Sequence, residues 1–230
     1  MGRPRQPLLS RDRIVDAALA LVDAEGLDVL STRRLASELG VSGPALYNHF
    51  ATKDEIVDAV VDTVLGEVDI AVFARVSADA ARDAADDRSQ DAAEATSWDE
   101  ALRVWARSYR AVLGAHPNLV PALAPGPARR PNALRMADAV FGSLVRSGWP
   151  RAQATRVGVL MRYFVTGSAL GSFAGGFPDD AALYAGEYPH LGQAHLLADA
   201  QREINENAFE AGLEALLHGL ADRYARVRVG

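Results

Sequence analysis

Residues 39–56 read LGVSGPALYNHFATKDEI. Within them Pro44 to Phe50 is a helix-permissive run only about two turns long, and a helix that short does not hold itself together in water. Leu46 and Phe50, four residues apart, share the face that must turn inward. Ala45, Tyr47, Asn48 and His49 are left outside, so neighbouring helices brace the run and these side chains are what it presents.

The flanks supply the braces. Upstream, Ser31 is placed to cap TRRLASELG, which buries Leu35, Ala36 and Leu39 and stops at Gly40. Gly40 and Val41 form a tight turn, with Ser42 as the next cap and Pro44 tolerated in the first helical turn. Further back, Ser10 caps a helix with Asp12 near its positive end. Ile14, Ala18, Leu21 and Val22 form one stripe, and Gly26 ends it. Downstream, Thr52 and Glu55 make the capping box of a fourth helix. Two helices joined by a tight turn and leaning on a third are a helix-turn-helix, whose outer face can enter a major groove. Small residues at Gly43 and Ala45 permit close approach to base edges. Tyr47 and Lys53 can reach phosphates, while Asn48 and His49 can donate to bases or phosphates. Arg33 can pair with a guanine or grip the backbone.

The rest of the chain is helical in pattern, with no run of β-branched alternation, so an all-α fold is expected. The 230 residues carry a formal net charge of −6, which argues against indiscriminate coating of nucleic acid. Residues 1–53 nevertheless hold seven basic side chains (Arg3, Arg5, Arg11, Arg13, Arg33, Arg34, Lys53) against six acidic ones. Zero cysteines exclude disulfides and thiolate metal sites and fit a reducing cytoplasm. No apolar run reaches the roughly 18 residues of a membrane span, and the N-terminus lacks the apolar core of a signal peptide.

The expected organisation is an N-terminal DNA-binding domain over residues 1–55, with the fourth helix as a connector over about 52–74. Residues 75–97, rich in Ala, Asp and Arg, read as a polar loop or insertion. A larger helical domain over 98–230 follows. There PNLVPALAPGPARRP is expected to hold one short helix. PRAQATRVGVLMRYFVTGSALGSFAGG reads as a helix apolar nearly all round, and FPDDAALYAGEYPHLGQ as a loop.

At STRRLASELGVSGPALYNHFATKDEIVDAV (residues 31–60) the chain closely resembles the DNA-binding domain of the TetR family of bacterial transcriptional repressors. FEAGLEALLHGLADR (209–223) is similar to the last helix of the tetracycline-repressor branch. The resemblance implies an all-helical homodimer that sets two recognition helices on a palindromic double-stranded operator. A small molecule in the C-terminal domain would change their spacing and release the DNA. It carries operator-facing roles to Arg33, Ser42, Gly43, Ala45, Tyr47, Asn48, His49 and Lys53, with Thr32 on a phosphate. It also places His116, in LGAHPNL, near a ligand-contacting histidine; a histidine packed at a helix end before Pro117 is the plain alternative. The second, magnesium-binding histidine of those repressors falls on an apolar residue around Leu123, so neither a metal nor another cofactor is expected.

Trp105, Tyr109, Leu113, Met136, Phe141, Met161 and Phe164 supply aromatic and adaptable apolar surface for a hydrophobic effector, or ordinary core. Gly167, Gly171 and Gly175 recur every four residues, and Ile204, Ala208, Ala211 and Ala215 give the last helix a second apolar face. Both suit a two-fold four-helix interface, with packing inside one chain as the alternative. No nucleophile elbow, HExxH, P-loop or dinucleotide fingerprint is present, so no catalytic residue is assigned. The other readings are an activator of the same family, or a dimeric helical ligand binder that does not read DNA.

Overall fold

The computed structural model describes residues 9–76, 96–123, 126, 129–171, 174–186 and 188–229. Nine α-helices lie in the described residues: α1 (Arg11–Glu25), α2 (Thr32–Leu39), α3 (Gly43–Tyr47), α4 (Lys53–Leu65), α5 (Trp98–Ala115), α6 (Pro131–Arg146), α7 (Arg151–Ser168), α8 (Ala181–Tyr184) and α9 (Gln201–Val229). The fold is all-α; an isolated bridge between Val76 and Thr96 is the β pairing present among these residues.

Local chemistry sets the first boundaries. The Ser10 hydroxyl accepts from the Arg13 amide, Ser31 from that of Arg34, and Thr52 from that of Glu55, each satisfying an orphan donor of a first turn. The Glu55 carboxylate reaches back to the Ala51 amide at 2.7 Å, one residue before the cap itself. Gly40 ends α2 at φ +66, a left-handed conformation that costs glycine nothing. The Val41 amide then bonds the Ala36 carbonyl at 3.0 Å. Ser42 differs from expectation: its side chain makes no cap bond, and Pro44 at the helix start leaves one donor fewer to cap.

The chain packs as two units. The first joins the residues up to Asp69 to Ala111–Asp138, and the second joins Ile70–Arg110 to Ala139–Gly230. In the first, α1 packs on α2 and α4, and the 3₁₀ segment Pro117–Leu123 packs on α1 and α4. Its core includes Ile14, Ala18, Leu35, Leu46, Phe50, Ile56 and Val60, all at most 2% exposed. In the second, α7 packs on α9 around Leu102, Leu144, Met161, Val165 and Leu213.

Three expectations need correction. The fourth helix does not run to residue 74: it stops at Leu65, a turn follows, and Ala71–Arg75 is a separate 3₁₀ segment. At this end Gly66 lies against Asn132, whose side-chain nitrogen would stand 2.8 Å from a Cβ there, so the position takes glycine, a poor helix former. The helix through Gly167 stops at Ser168, and Gly171 has φ +136, which no α-helix contains. Gly171 and Gly175 therefore lie beyond α7 rather than in register along it. The loop read over 177–193 contains the one-turn helix α8, capped by the Asp180 carboxylate. Of the polar insertion, residues 77–95 lie outside the described residues.

Candidate nucleic-acid interface

Leu46 (1% exposed) and Phe50 (2%) root α3 in the core of the first unit, which turns the opposite face outward. Tyr47 is 54% exposed, and Arg33, Ser42 and Asn48 are exposed as well. Gly43, Ala45, His49, Thr32 and Lys53 are half-buried around them. The nine sequence-selected positions thus fall on the outer side of the α2–turn–α3–α4 segment. Tyr47 Oη lies 3.5 Å from Thr32 Oγ1, which brings the tyrosine of α3 to the start of α2.

Arg34 differs from Arg33 beside it. Its guanidinium pairs with Glu25 at 2.9 Å and with Glu38 at 3.0 Å, so this arginine ties α2 back to α1. The hydrogen bond it donates to Glu25 is the main reason its pKa stands above the ordinary arginine value. Arg33 is the exposed cation of the pair.

Sequence reasoning missed two supports. Arg11 lays its guanidinium 3.9 Å over the Phe50 ring and donates to the His49 carbonyl, clamping the end of α3 from α1. Arg130, 5% exposed, donates from Nε at 3.0 Å and Nη2 at 2.5 Å to Asp58 Oδ1 on α4, and to the carbonyls of Gly126 and Ala122. One turn along α4, the Asp62 carboxylate accepts from the amides of Asn132 and Ala133 and so caps α6. An arginine before a helix start hints at such a clamp, but its partner some 70 residues away leaves no sequence signal. Arg3 and Arg5 lie outside the described residues.

The effector candidates divide between the units. Trp105, Tyr109 and Met161 are buried in the second, with Phe141 and Phe164 partly buried there. Phe164 stacks on Phe209 with ring centroids 5.3 Å apart. Leu113, His116 and Met136 belong to the first unit. His116 Nδ1 sits 2.9 and 3.0 Å from the two Asp23 oxygens of α1, and Nε2 is 3.8 Å from Glu67. Among the described residues no group of three or more His, Asp or Glu side chains is arranged to hold a metal.

The interface candidates Gly167, Ala208, Ala211 and Ala215 are exposed, as are Gly171 and Gly175 beyond the helix end, and Ile204 is half-buried. Leu160 (40%) and Tyr163 (66%) are exposed on the same side of α7 as Gly167 by helical spacing, and Leu170 (65%) is exposed just beyond the helix end. Among the described residues no helix is long and apolar enough to cross a membrane.

A helix-turn-helix braced in this way, followed by a second helical unit, defines the class of helical DNA-binding regulators. Residues 14–60 match the model for bacterial regulatory proteins of the tetR family, and residues 91–224 match the tetracyclin repressor-like C-terminal domain. The chain belongs to the TetR family and is a DNA-binding transcriptional regulator. It is similar to the class A tetracycline repressor of transposon 1721 from Escherichia coli, with 32% identity covering 96% of this chain and 94% of that one. An HTH-type transcriptional regulator from Saccharopolyspora erythraea is 29% identical, over 91% of this chain and 89% of that one. The solved structure of ActR from Streptomyces coelicolor in complex with actinorhodin superposes with a TM-score of 0.67 at 30% identity, covering 94% and 98% of the two chains.

Proposed function

We propose that this regulator is a repressor that binds a palindromic operator as a homodimer and is released by a small, mostly apolar effector. The observation that carries it is the outer face of α3 and the turn that follows it: a 54%-exposed tyrosine on the helix, then Asn48 and His49, rooted by Leu46 and Phe50. Arg33, Ser42, Gly43 and Ala45 would meet the major groove with them. Tyr47, Thr32 and Lys53 would hold phosphates, setting register and orientation without reading sequence. Residues 1–55 would be the DNA-binding domain, α4 the connector, and 98–230 the part that binds effector and dimerises in the bacterial cytoplasm.

Dimerisation is supported by the exposed stripe of α7 (Leu160, Tyr163, Gly167) and the alanine stripe of α9 (Ala208, Ala211, Ala215). Apolar or side-chain-poor stripes on two neighbouring helices suit close packing against their own two-fold copies. Two recognition helices would then enter successive major grooves about 34–36 Å apart. Ligand control is supported by the likeness to ActR, solved in complex with actinorhodin. A ligand that prefers the DNA-incompetent shape about 100-fold contributes roughly 2.7 kcal/mol per site.

The test is selection of bound duplexes from a random DNA pool by the purified protein, with mass measured in solution. Enrichment of an inverted repeat by a dimer is expected, with log K falling by about 0.9 per phosphate neutralised as log salt rises. A monomer, or the absence of an enriched repeat, overturns the reading.

A further inference from the structure

We propose that the cleft lined by α1, α4 and the residues just before α6 is a second ligand site, separate from the effector candidates, and that it takes a small zwitterion of the α-amino acid class. The inference goes beyond the operator and effector reading above and does not depend on it.

The cleft measures about 340 Å³, is partly open to solvent, and is walled by the first unit alone. That volume is at the lower end of the roughly 300–1,000 Å³ of small-molecule sites. Three guanidiniums (Arg11, Arg129, Arg130) and four carboxylates (Asp12, Glu55, Asp58, Asp62) line it. Val15, Ala59 and Pro131 add apolar wall.

Most of these charges are already engaged. Arg130 gives Nε and Nη2 to Asp58 Oδ1, and its other bonds go to the carbonyls of Gly126 and Ala122. Arg11 lies over the Phe50 ring and donates to the His49 carbonyl. One oxygen of Asp62 caps α6, and one of Glu55 takes the Ala51 amide. Asp12 and Arg129 are left. Both are exposed, and neither has a hydrogen bond or ion pair with the other or with any other described residue. An anion in the first turn of α1 and a cation before α6 therefore line one cleft without meeting.

A ligand that pairs with both must carry an ammonium and a carboxylate on a short frame. The fork of Arg129 can hold a carboxylate through two parallel N–H bonds. An ammonium brings three donors. Asp12 takes one. Asp58 and Asp62 stand one turn apart on α4, and the second oxygen of each has no hydrogen bond among the described residues. A simple anion would meet four carboxylates against three guanidiniums, whereas a simple cation would leave Arg129 unpaired. An uncharged molecule pairs with neither. The wall of Val15, Ala59 and Pro131 suits an aliphatic side chain.

The experiment uses the full-length protein and three probes on one carbon frame. These are L-leucine, 3-methylbutylamine, which lacks the carboxylate, and 4-methylpentanoate, which lacks the ammonium. Dissociation constants from titration calorimetry should show L-leucine bound at least about fivefold more tightly than either analogue. In Arg129→Gln the advantage over the amine should fall to within about twofold, while the advantage over the acid persists. In Asp12→Asn the pattern should be the reverse, with the advantage over the acid lost and that over the amine kept. Both side chains are exposed, so the melting temperatures of the unliganded variants should match the parent. A structural role alone would move both ratios together. Equal binding of the three probes, no binding of L-leucine up to about 20 mM, or ratios that do not respond in this crossed way overturn the proposal.

Discussion

Replacing Arg130 by methionine should destabilise the first unit by about 2–4 kcal/mol. The stem is conserved in volume, so the change removes the charged head and little packing. Breaking a buried ion pair from one side costs about 3–5 kcal/mol when the stranded charge stays buried. The Asp58 side chain, however, is 49% exposed and regains water, which places the loss toward the lower end. The carbonyls of Gly126 and Ala122 lose bonds of 3.3 and 3.4 Å, long enough to add at most about 1 kcal/mol each. Urea denaturation followed by circular dichroism should show the midpoint lowered by about 1–2 M, at a slope of roughly 2 kcal/mol per molar. If the units melt separately, only one transition should move. The variant Asp58→Asn gives the other edge of a double-mutant cycle, and a coupling of about 1–2 kcal/mol is expected. A midpoint for Arg130→Met within about 0.3 M of the parent would refute the claim that this arginine holds α4 to the segment before α6.

Tyr47→Ala should weaken binding to every operator alike, whereas Arg33→Ala and Asn48→Ala should relax preference at particular base pairs by about 1–3 kcal/mol. Equal losses across a duplex panel for all three would reassign Arg33 and Asn48 to the phosphates. Leu46→Ala, at a site 1% exposed, should cost about 2–5 kcal/mol and abolish operator binding, since α3 loses its anchor. Unchanged thermal stability would contradict the packing described. The carboxyls of Glu214 and Glu210 sit below the ordinary glutamate value of 4.5, chiefly through hydrogen bonds from Arg103 and Arg107. Depressed groups stabilise the fold fully above the unfolded value and lose that contribution as pH falls through the folded one. The melting temperature should therefore hold steady down to about pH 5 and fall below pH 4.5, less steeply in a Glu210→Gln, Glu214→Gln double variant. Identical acid profiles for variant and parent would discount these pairs. Tyr163→Glu with Ala211→Glu should convert a dimer to a monomer by sedimentation; an intact dimer would move the interface elsewhere.

What could be read from sequence was what local chemistry decides. Ser10, Ser31 and Thr52 cap the helices they precede, and Gly40 turns the chain within a few residues of the positions that demand it. Leu46 and Phe50 point inward because four-residue spacing leaves little choice. The misreadings arose where a distant residue decides. The connector helix reads as continuing because VDIAVFAR is still apolar past Gly66, yet the Asn132 side chain fills the space beside that glycine. The buried stripe Ala154, Val157, Gly158, Met161 and Val165 keeps a helical period, but the stop at Ser168 falls in a run of small residues that carries none. The Asp23 partner of His116, 93 positions earlier, is likewise unannounced by anything local, and it is compatible with either reading of that histidine. Nor does the sequence show that Ala111–Asp138 packs with the N-terminal helices, for a linear division keeps it with its neighbours in the chain.

The ladder between α5 and α9 pairs Arg103 with Glu214, Arg107 with Glu210 and Arg110 with Glu206 at 2.8, 2.6 and 3.2 Å. Its spacing works like a vernier. Slide α9 by one turn, about 5.4 Å, and two of the three rungs re-form on new partners. In one direction the third rung sets Arg110 against Arg202; in the other it leaves Arg103 facing His218. The charges alone therefore make a slipped alignment nearly as good as the native one, separated by a single mismatched rung. Packing separates them further: the Phe209 ring takes the Arg110 guanidinium 4.3 Å from its centroid and stacks on Phe164 from α7, Gly212 leaves room for that same Phe164 ring, and Leu213, Leu217 and Leu220 are buried along α9. The salt bridges thus tolerate more than one alignment, and the apolar face of α9 selects among them.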